Sequence, residues 1–203
     1  MKRTLMTIAI STSALFSNMS HAGLVNPGFE TGDLTGWTAN LNGGSAFAVT
    51  NHKGYLPVEG NFFLAIGAGA ANVWQTVSQT VSLNAGEVLA GFAAFNWEDY
   101  PPFLDGARVR ILNSLGNLIA EPFYMDGSGH PNYWDGPWTV WSWQAVTAGQ
   151  YILEYAVRNT EDDDLISYGY FDLITQNVPE PASLALLGVG MAGLTFYRRR
   201  KYA

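Results

Sequence analysis

The sequence predicts an all-β fold, a β-sandwich of the jelly-roll type, followed by a single C-terminal transmembrane helix. Of the 203 residues, 22 are glycines and 14% are aromatic, whereas only 13% are charged. This composition favours strands joined by tight turns, because helices usually carry Lys and Glu on their solvent faces. About eight short strand-like runs recur along the middle of the chain, and antiparallel strands in that number typically pack as two sheets.

The strand-like runs are rich in β-branched, aromatic and small apolar residues. They cover residues 45–50, 62–66, 73–83, 87–96, 108–112, 138–146, 151–158 and 168–175. Asn-Gly, Asp-Gly and Ala-Gly pairs lie between them and are typical of turns. In the run 73–83, Val77, Val81 and Leu83 share one parity, which predicts a strand with one buried face.

The charged residues are unevenly distributed, and the chain has no cysteine. The lack of cysteine excludes disulfides, thiolate catalysis and Cys-ligated metal sites. Within residues 23–177 the only basic residues are Lys53, Arg108, Arg110 and Arg158, whereas every acidic residue except Glu180 lies there. A surface this acidic repels phosphate backbones, which argues against nucleic acid as a partner.

Residues 1–22 have the three parts of a secretory signal peptide. Lys2 and Arg3 supply the basic start, an apolar run follows, and Ser20 and Ala22 are small residues suited to a cleavage site before Gly23. A buried N-terminal helix is the alternative, but it explains neither the basic start nor the small residues. The sequence therefore predicts export from the cytoplasm and a single folded domain at residues 23–177.

Residues 178–203 combine a Pro-Glu-Pro motif, an uncharged apolar stretch at 182–197 and a basic run at 198–201. A helix over 182–197 rises about 24 Å, slightly less than a bilayer core, and the basic run would hold its end in the cytoplasm. The arrangement resembles the PEP-CTERM sorting signal. Its matching residues are Pro179, Glu180, Pro181, Arg198, Arg199 and Arg200.

The resemblance to the PEP-CTERM signal implies a route and a partner. In that family an exosortase, a membrane transpeptidase-like protease of Gram-negative bacteria, recognises the tail. We therefore expect a transient anchor in the inner membrane and then release to the cell surface or extracellular matrix. Proteins of this kind are usually associated with biofilm and exopolysaccharide production, so an exopolysaccharide is the expected partner.

The start of the folded part resembles the opening of galactose-binding-like and carbohydrate-binding-module jelly rolls. The residues that carry this pattern are Asn26, Gly28, Phe29, Glu30, Gly36 and Trp37. Residues 78–86 are similar to the Gln-Thr strand and glycine turn of such domains, and residues 170–174 to their closing strand. That strand commonly has two adjacent acids, whereas here Phe171 precedes Asp172.

In that family a structural Ca²⁺ often joins the N-terminal segment to the last strand. The resemblance implies Glu30 and Asp172 as carboxylate ligands and Asn26 as a further oxygen ligand, with backbone carbonyls completing the six to eight oxygens that calcium takes. The alternative is that Glu30 caps a turn and Asp172 is solvated. The acidic run at 161–164 lacks the spacing and glycine of an EF-hand, and a solvated loop is expected there.

Two clusters of aromatic residues lie in sequence rich in Pro, Gly and Asp. Because flat rings stack on sugars and loops carry binding residues, the candidate ligand contacts are Trp97, Tyr100, Tyr133 and Trp134. Core packing is the alternative for them. Trp141 and Trp143 share a strand face and are predicted to point into the core.

The sequence carries no Gly-x-Ser-x-Gly, His-Glu-x-x-His or phosphate-loop signature. Adjacent acids such as Glu98 and Asp99 point to opposite faces of a strand, which does not suit the paired carboxylates of a glycosidase. We therefore expect an exported non-catalytic surface or matrix protein that binds polysaccharide. The alternative is a structural protein of the biofilm matrix that acts by adhesion or assembly without glycan binding.

Overall fold

The computed structural model describes residues 23–174, which form two antiparallel β-sheets. The prediction of an all-β sandwich is confirmed. Among residues 23–174, no helix has the length and apolar character needed to span a membrane. The predicted signal peptide at 1–22, the transmembrane stretch at 182–197 and the basic run at 198–201 lie outside the described residues.

The strands alternate between the two sheets along much of the chain. In order they are β1 (Thr38–Asn40), β2 (Ser45–Val49), β3 (Phe63–Gly67), β4 (Gln75–Leu83), β5 (Val88–Trp97), β6 (Gly106–Asn113), β7 (Leu118–Asp126), β8 (Trp134–Asp135), β9 (Thr139–Gln144), β10 (Gly149–Arg158) and β11 (Tyr168–Leu173). One sheet has the order β1-β4-β10-β6-β7. The other has the order β2-β3-β11-β5-β8, and β9 also pairs with β5.

The crossing between sheets follows the jelly-roll pattern. The links from β5 to β6 and from β10 to β11 pass from one sheet to the other, as does the link from β7 to β8. Because β6 is antiparallel to both β7 and β10, the loops at residues 98–105, 127–133 and 159–167 lie at the same end of the sandwich.

Alternating side chains of the strands build the core between the sheets. On β4, Val77, Val81 and Leu83 are buried, which confirms the face predicted from their parity. Trp141 is 2% exposed, and Trp143 packs against the same core, so the inward direction predicted for both is also confirmed.

A stack of four aromatic rings joins the N-terminal segment to both sheets. The ring of Phe29 lies 5.0 Å from that of Trp37, and Trp37 lies 5.4 Å from Tyr155 on β10. Tyr155 in turn stacks on Phe171 of β11, with their centroids 4.5 Å apart. The indole N–H of Trp37 donates to the carbonyl of Asn26 at 3.0 Å. This packing explains why an aromatic residue follows Gly28 and Gly36 in the opening segment.

Three strands were not among the predicted runs: β1, β7 and β8. Strands β1 and β8 have only three and two residues. Strand β7 contains Pro122, which lacks the N–H that a central strand needs, and it lies at the edge of its sheet, where proline is tolerated.

A buried carboxylate ties together the loops at one end of the sandwich. Asp105 is fully buried; its Oδ1 accepts the Thr160 N–H at 2.7 Å, and its Oδ2 accepts the Ser167 hydroxyl at 2.6 Å. The Ser167 hydroxyl oxygen also accepts the Glu98 N–H at 3.0 Å. Burial raises the pKa of Asp105 to about 6.

We predict that Phe29→Ala destabilises the fold by about 3–5 kcal/mol, because it removes a fully buried ring and leaves a cavity. Urea unfolding followed by tryptophan fluorescence measures the loss. Val146→Ala is the control, since Val146 is 85% exposed and its truncation changes stability by less than about 0.5 kcal/mol. A loss below about 1 kcal/mol for Phe29→Ala would contradict the packing described here.

We predict that the contribution of Asp105 to stability falls as the pH rises from about 4 to about 6. Its pKa is raised from 3.8 to about 6, so the folded state holds a proton that the unfolded chain has lost. Asp105→Asn keeps an acceptor for Thr160 and removes this titration. The melting temperature of the variant is expected to depend less on pH over that range, whereas Asp163→Asn, on the exposed loop, changes nothing. An unchanged slope for Asp105→Asn refutes the assignment.

Candidate functional site

At one end of the sandwich, the loop at residues 98–105 is hydrogen-bonded to both neighbouring loops. The Tyr133 N–H donates to the Asp99 carbonyl at 3.0 Å, and the Gly127 N–H donates to the Asp105 carbonyl at 3.2 Å. Together with the Asp105 carboxylate, these bonds fix residues 98–105 against both neighbouring loops. Side chains on this end are therefore held on a constrained scaffold.

Tyr100 and Tyr133 form an exposed aromatic surface on these loops. They are 41% and 57% exposed, and their ring centroids lie 6.4 Å apart with an interplanar angle of 56°. Phe103 supports Tyr100 from the side, at 5.5 Å in an edge-on contact. The two predicted ligand contacts are thus brought together on the surface.

Carboxylates lie close to the tyrosine pair. Asp99 is 2% exposed, and its Oδ1 accepts the Tyr100 N–H at 2.8 Å. Burial raises the pKa of Asp99, and the charges of Asp162 and Asp164 raise it further. Both acids belong to the loop at residues 159–167, which lies at the same end of the sandwich.

Trp97 is not a surface contact, and the prediction for it is corrected. It is the last residue of β5, fully buried among the core residues, and its indole N–H donates to the Phe103 carbonyl at 3.0 Å. A Cβ on Gly127 would lie only 2.3 Å from the Trp97 ring, so the neighbouring loop is packed directly on it. Trp97 therefore packs beneath the loops at residues 98–105, 127–133 and 159–167, which together we call the loop end.

Trp134 is half-buried and is not a free platform either. It lies on the short strand β8, where it is paired with Trp97 of β5, and it packs against the core. His130 stacks on it with the ring centroids 3.6 Å apart and an interplanar angle of 9°. One ring face is therefore covered by His130, and of the four predicted contacts only Tyr100 and Tyr133 present open aromatic surface.

A small open cavity of about 330 Å³ was not predicted from the sequence. It is lined by Lys53, Gly54, Tyr55, Asp135 and Gly136. Lys53 pairs with Glu98 at 2.6 Å, directly before Asp99 in the 98–105 loop. The polar lining comes from segments about eighty residues apart, which sequence spacing does not reveal.

The predicted calcium ligands Glu30 and Asp172 both contact the segment at residues 58–62. Glu30 accepts the N–H groups of Asn61 and Phe62 at 2.9–3.1 Å. Asp172 is 1% exposed, and its Oδ2 accepts the N–H groups of Val58 and Glu59 at 2.8 and 3.0 Å. Glu30 thus caps this segment, and Asp172 is buried instead of solvated.

The buried carboxylate of Asp172 meets some of the requirements of a cation site but not all of them. Its Oδ1 has no hydrogen-bond partner in the described structure. Burial raises the pKa of Asp172 to about 7, and the charges of Glu59 and Glu30 raise it as well. Within residues 23–174, however, no three His, Asp or Glu side chains converge as a metal site. A cation here would need backbone carbonyls or water as further ligands.

Asn26 is not placed as a calcium ligand, because its polar atoms form hydrogen bonds within the opening segment. The side-chain oxygen accepts the Thr31 N–H at 3.1 Å, and the side-chain nitrogen donates to the Asp33 carbonyl at 2.9 Å. Its backbone carbonyl accepts both the Trp37 indole and the Phe29 N–H. Asn26 therefore shapes the opening segment that positions Glu30.

Several solved structures are similar to the described part of the chain. A carbohydrate-binding module solved with β-1,4-galactotriose has a TM-score of 0.46 and 16% identity, over 74% of this chain and 94% of that chain. A family 16 carbohydrate-binding module has a TM-score of 0.39 and 17% identity, over 75% and 96%. The K1 cleaved adhesin domain of Lys-gingipain from Porphyromonas gingivalis W83 has a TM-score of 0.46 and 14% identity, over 72% and 92%.

Comparison with curated proteins gives no match. A family model described as the PEP-CTERM protein-sorting motif matches residues 177–201. The match begins one residue before the tail identified from the sequence and includes Pro179, Glu180 and Pro181 together with the basic run. The chain therefore carries a PEP-CTERM protein-sorting motif at its C-terminal end.

Proposed function

We propose that this protein is an exported, non-catalytic polysaccharide-binding protein of the cell surface or extracellular matrix. The observation that carries the proposal is the pair of exposed rings, Tyr100 and Tyr133, held 6.4 Å apart on hydrogen-bonded loops. Adjacent exposed aromatic rings form an apolar patch, and such patches on a protein surface often mark binding sites.

Sugar chemistry suits this surface. The axial C–H groups of a pyranose form an apolar face that stacks on an aromatic ring, while its hydroxyl groups need hydrogen-bond partners. The Tyr hydroxyls can supply such partners, and the acidic run at 161–164 lies on a neighbouring loop at the same end of the sandwich. A neutral glycan chain is therefore the ligand class that we assign to the loop end.

The sorting motif supports the proposed location. An exosortase-type enzyme would recognise Pro179, Glu180 and Pro181 while the stretch at 182–197 anchors the chain in the inner membrane of a Gram-negative bacterium. Cleavage of the signal peptide before Gly23 and processing of the tail would then leave the sandwich domain, residues 23–177, at the surface. The expected partner there is exopolysaccharide of the biofilm matrix.

We predict that Tyr100→Ala and Tyr133→Ala each weaken binding to a neutral glycan about tenfold, since each removes a stacking anchor. Glycan-array screening and affinity electrophoresis of the purified protein measure the change. Tyr124→Ala is the matched control, because Tyr124 is 45% exposed but lies on β7 and not on the loops. Trp97→Ala is unsuitable, because it would disrupt the core.

Binding that survives the double variant Tyr100→Ala/Tyr133→Ala would place the glycan elsewhere. A wild-type protein that binds no glycan of the panel would favour the structural alternative, an adhesion or assembly protein of the matrix. Turnover of a glycan that is abolished by a single carboxylate change would identify a hydrolase.

We also propose that Glu30 and Asp172 bind a structural Ca²⁺, because Asp172 is a buried carboxylate with an unpartnered oxygen beside two other acids. At a calcium concentration about a hundredfold above Kd, the gain is about 2.7 kcal/mol, which raises the melting temperature by about 5–10 °C relative to EDTA. Asp172→Asn is expected to abolish the calcium effect, whereas Asp163→Asn keeps it. No shift between calcium and EDTA in the wild-type protein removes the ion from the account.

A further inference from the structure

Three of the four basic residues of the folded part lie together on one sheet face. They are Arg108 and Arg110 on β6 and Arg158 at the end of β10; the fourth, Lys53, lies in the loop after β2. We call the outer surface around the three arginines the basic face. Because the rest of the domain is strongly acidic, this concentration of cations is the most uneven feature of its charge distribution.

Strand register places the residues of the basic face side by side. Glu154 is opposite Arg110, and Ala156 is opposite Arg108, on the neighbouring strand β10. Tyr124 on the edge strand β7 is opposite Arg108 on its other side. Residues opposite one another on antiparallel strands project from the same face, so these side chains share the outer surface of the sheet.

Trp74, directly before β4, lies across this face. The guanidinium of Arg108 lies 3.7 Å from the Trp74 ring centroid, and that of Arg158 lies 4.8 Å from it. Stacking of this kind fixes the planes of both guanidinium groups while their edges remain able to donate.

The positive charge on the basic face is only partly compensated. In the described structure Glu154 is the acid paired with these groups, and its Oε1 lies 3.8 Å from both Arg108 and Arg110, too far for a hydrogen bond. Asp126 instead accepts the hydroxyls of Tyr124 and Ser128. Each of the three arginines has a buried Nε without a hydrogen-bond partner among the described residues.

The electrostatics agree with this account. Burial and the neighbouring Arg110 lower the pKa of Arg108, and the charges of Glu154 and Glu121 offset this effect only in part. Crowded cations that lack sufficient counter-charge gain free energy when an anion binds. Guanidinium groups bind carboxylates in a planar, two-pronged geometry.

We propose that the basic face binds the carboxylate groups of an acidic polysaccharide, a polymer that contains uronic acids. This inference rests on the proposed function, polysaccharide binding, and adds a second surface and a ligand class to it. Nucleic acid is the alternative polyanion, since guanidinium groups bind phosphates as well, and the single-stranded DNA in the test below distinguishes the two.

The test is affinity electrophoresis of the full chain in gels that contain polygalacturonate, its carboxyl-reduced form, or single-stranded DNA. We expect retardation by polygalacturonate that decreases with salt. Arg110→Gln and Arg158→Gln should each weaken it about tenfold, because each removes a charged hydrogen-bond donor. Lys53→Gln is the matched control; it removes the same charge elsewhere and should change binding less than about twofold.

Three results would overturn the proposal. They are equal retardation by the carboxyl-reduced polymer, equal losses for Lys53→Gln and Arg110→Gln, and tighter binding of single-stranded DNA than of polygalacturonate. Melting curves check folding, and Arg110→Lys, which keeps the charge but loses the planar fork, should give an intermediate loss if a variant to Gln is unstable.

The same gels separate this inference from the proposed function. The double variant Tyr100→Ala/Tyr133→Ala should keep binding to polygalacturonate while it loses neutral glycans. A wild-type protein that binds neutral glycans but not polygalacturonate refutes only the basic face as a binding site. Loss of polygalacturonate binding in the tyrosine double variant would also refute it, because the acidic polymer would then bind at the loops.

Discussion

The ring stack between the two sheets is the interaction on which the rest of the structure depends. Phe29, Trp37, Tyr155 and Phe171 come from the opening segment, from β10 and from β11, and their successive centroids lie 4.5–5.4 Å apart. The chain has no cysteine, so no disulfide can perform this role. Burial of these large rings joins distant parts of the sequence and gives the loops a fixed base.

The loops at residues 98–105, 127–133 and 159–167 hold the proposed binding surface in a fixed geometry. Trp97 fills the space beneath the loops, and the Asp105 carboxylate links them, so Tyr100 and Tyr133 are held without contributing to the core themselves. A preorganised site loses less conformational entropy when it binds an extended sugar chain. The basic face lies on the outside of the β1-β4-β10-β6-β7 sheet, so under the two proposals one domain would contact two stretches of polymer. Sorting to the surface would bring both to the matrix.

Much of this fold was predictable from sequence, whereas the site was predictable only in part. Alternating residues such as Val77 and Val81 identify buried strand faces directly. Edge strand β7 was not predicted, because Pro122 is typical of the end of a strand, although a strand at the edge of a sheet tolerates proline. Trp97 and Tyr100 lie in one short stretch with Glu, Asp and Pro residues. Only the position at which β5 ends determines that the ring of Trp97 is in the core and that of Tyr100 is on the surface. The basic face depends on the register of β6 and β10, which no local pattern encodes.

The central claim is that the loop end binds glycan through Tyr100 and Tyr133. A heteronuclear NMR titration of the domain with a neutral oligosaccharide tests it most directly, because it reports each residue separately. The account predicts saturable shift changes at Tyr100, Tyr133 and residues 98–105, with the buried ring of Tyr155 unchanged. Saturable changes that leave both tyrosines unaffected, or no change with any oligosaccharide of the panel, would contradict it.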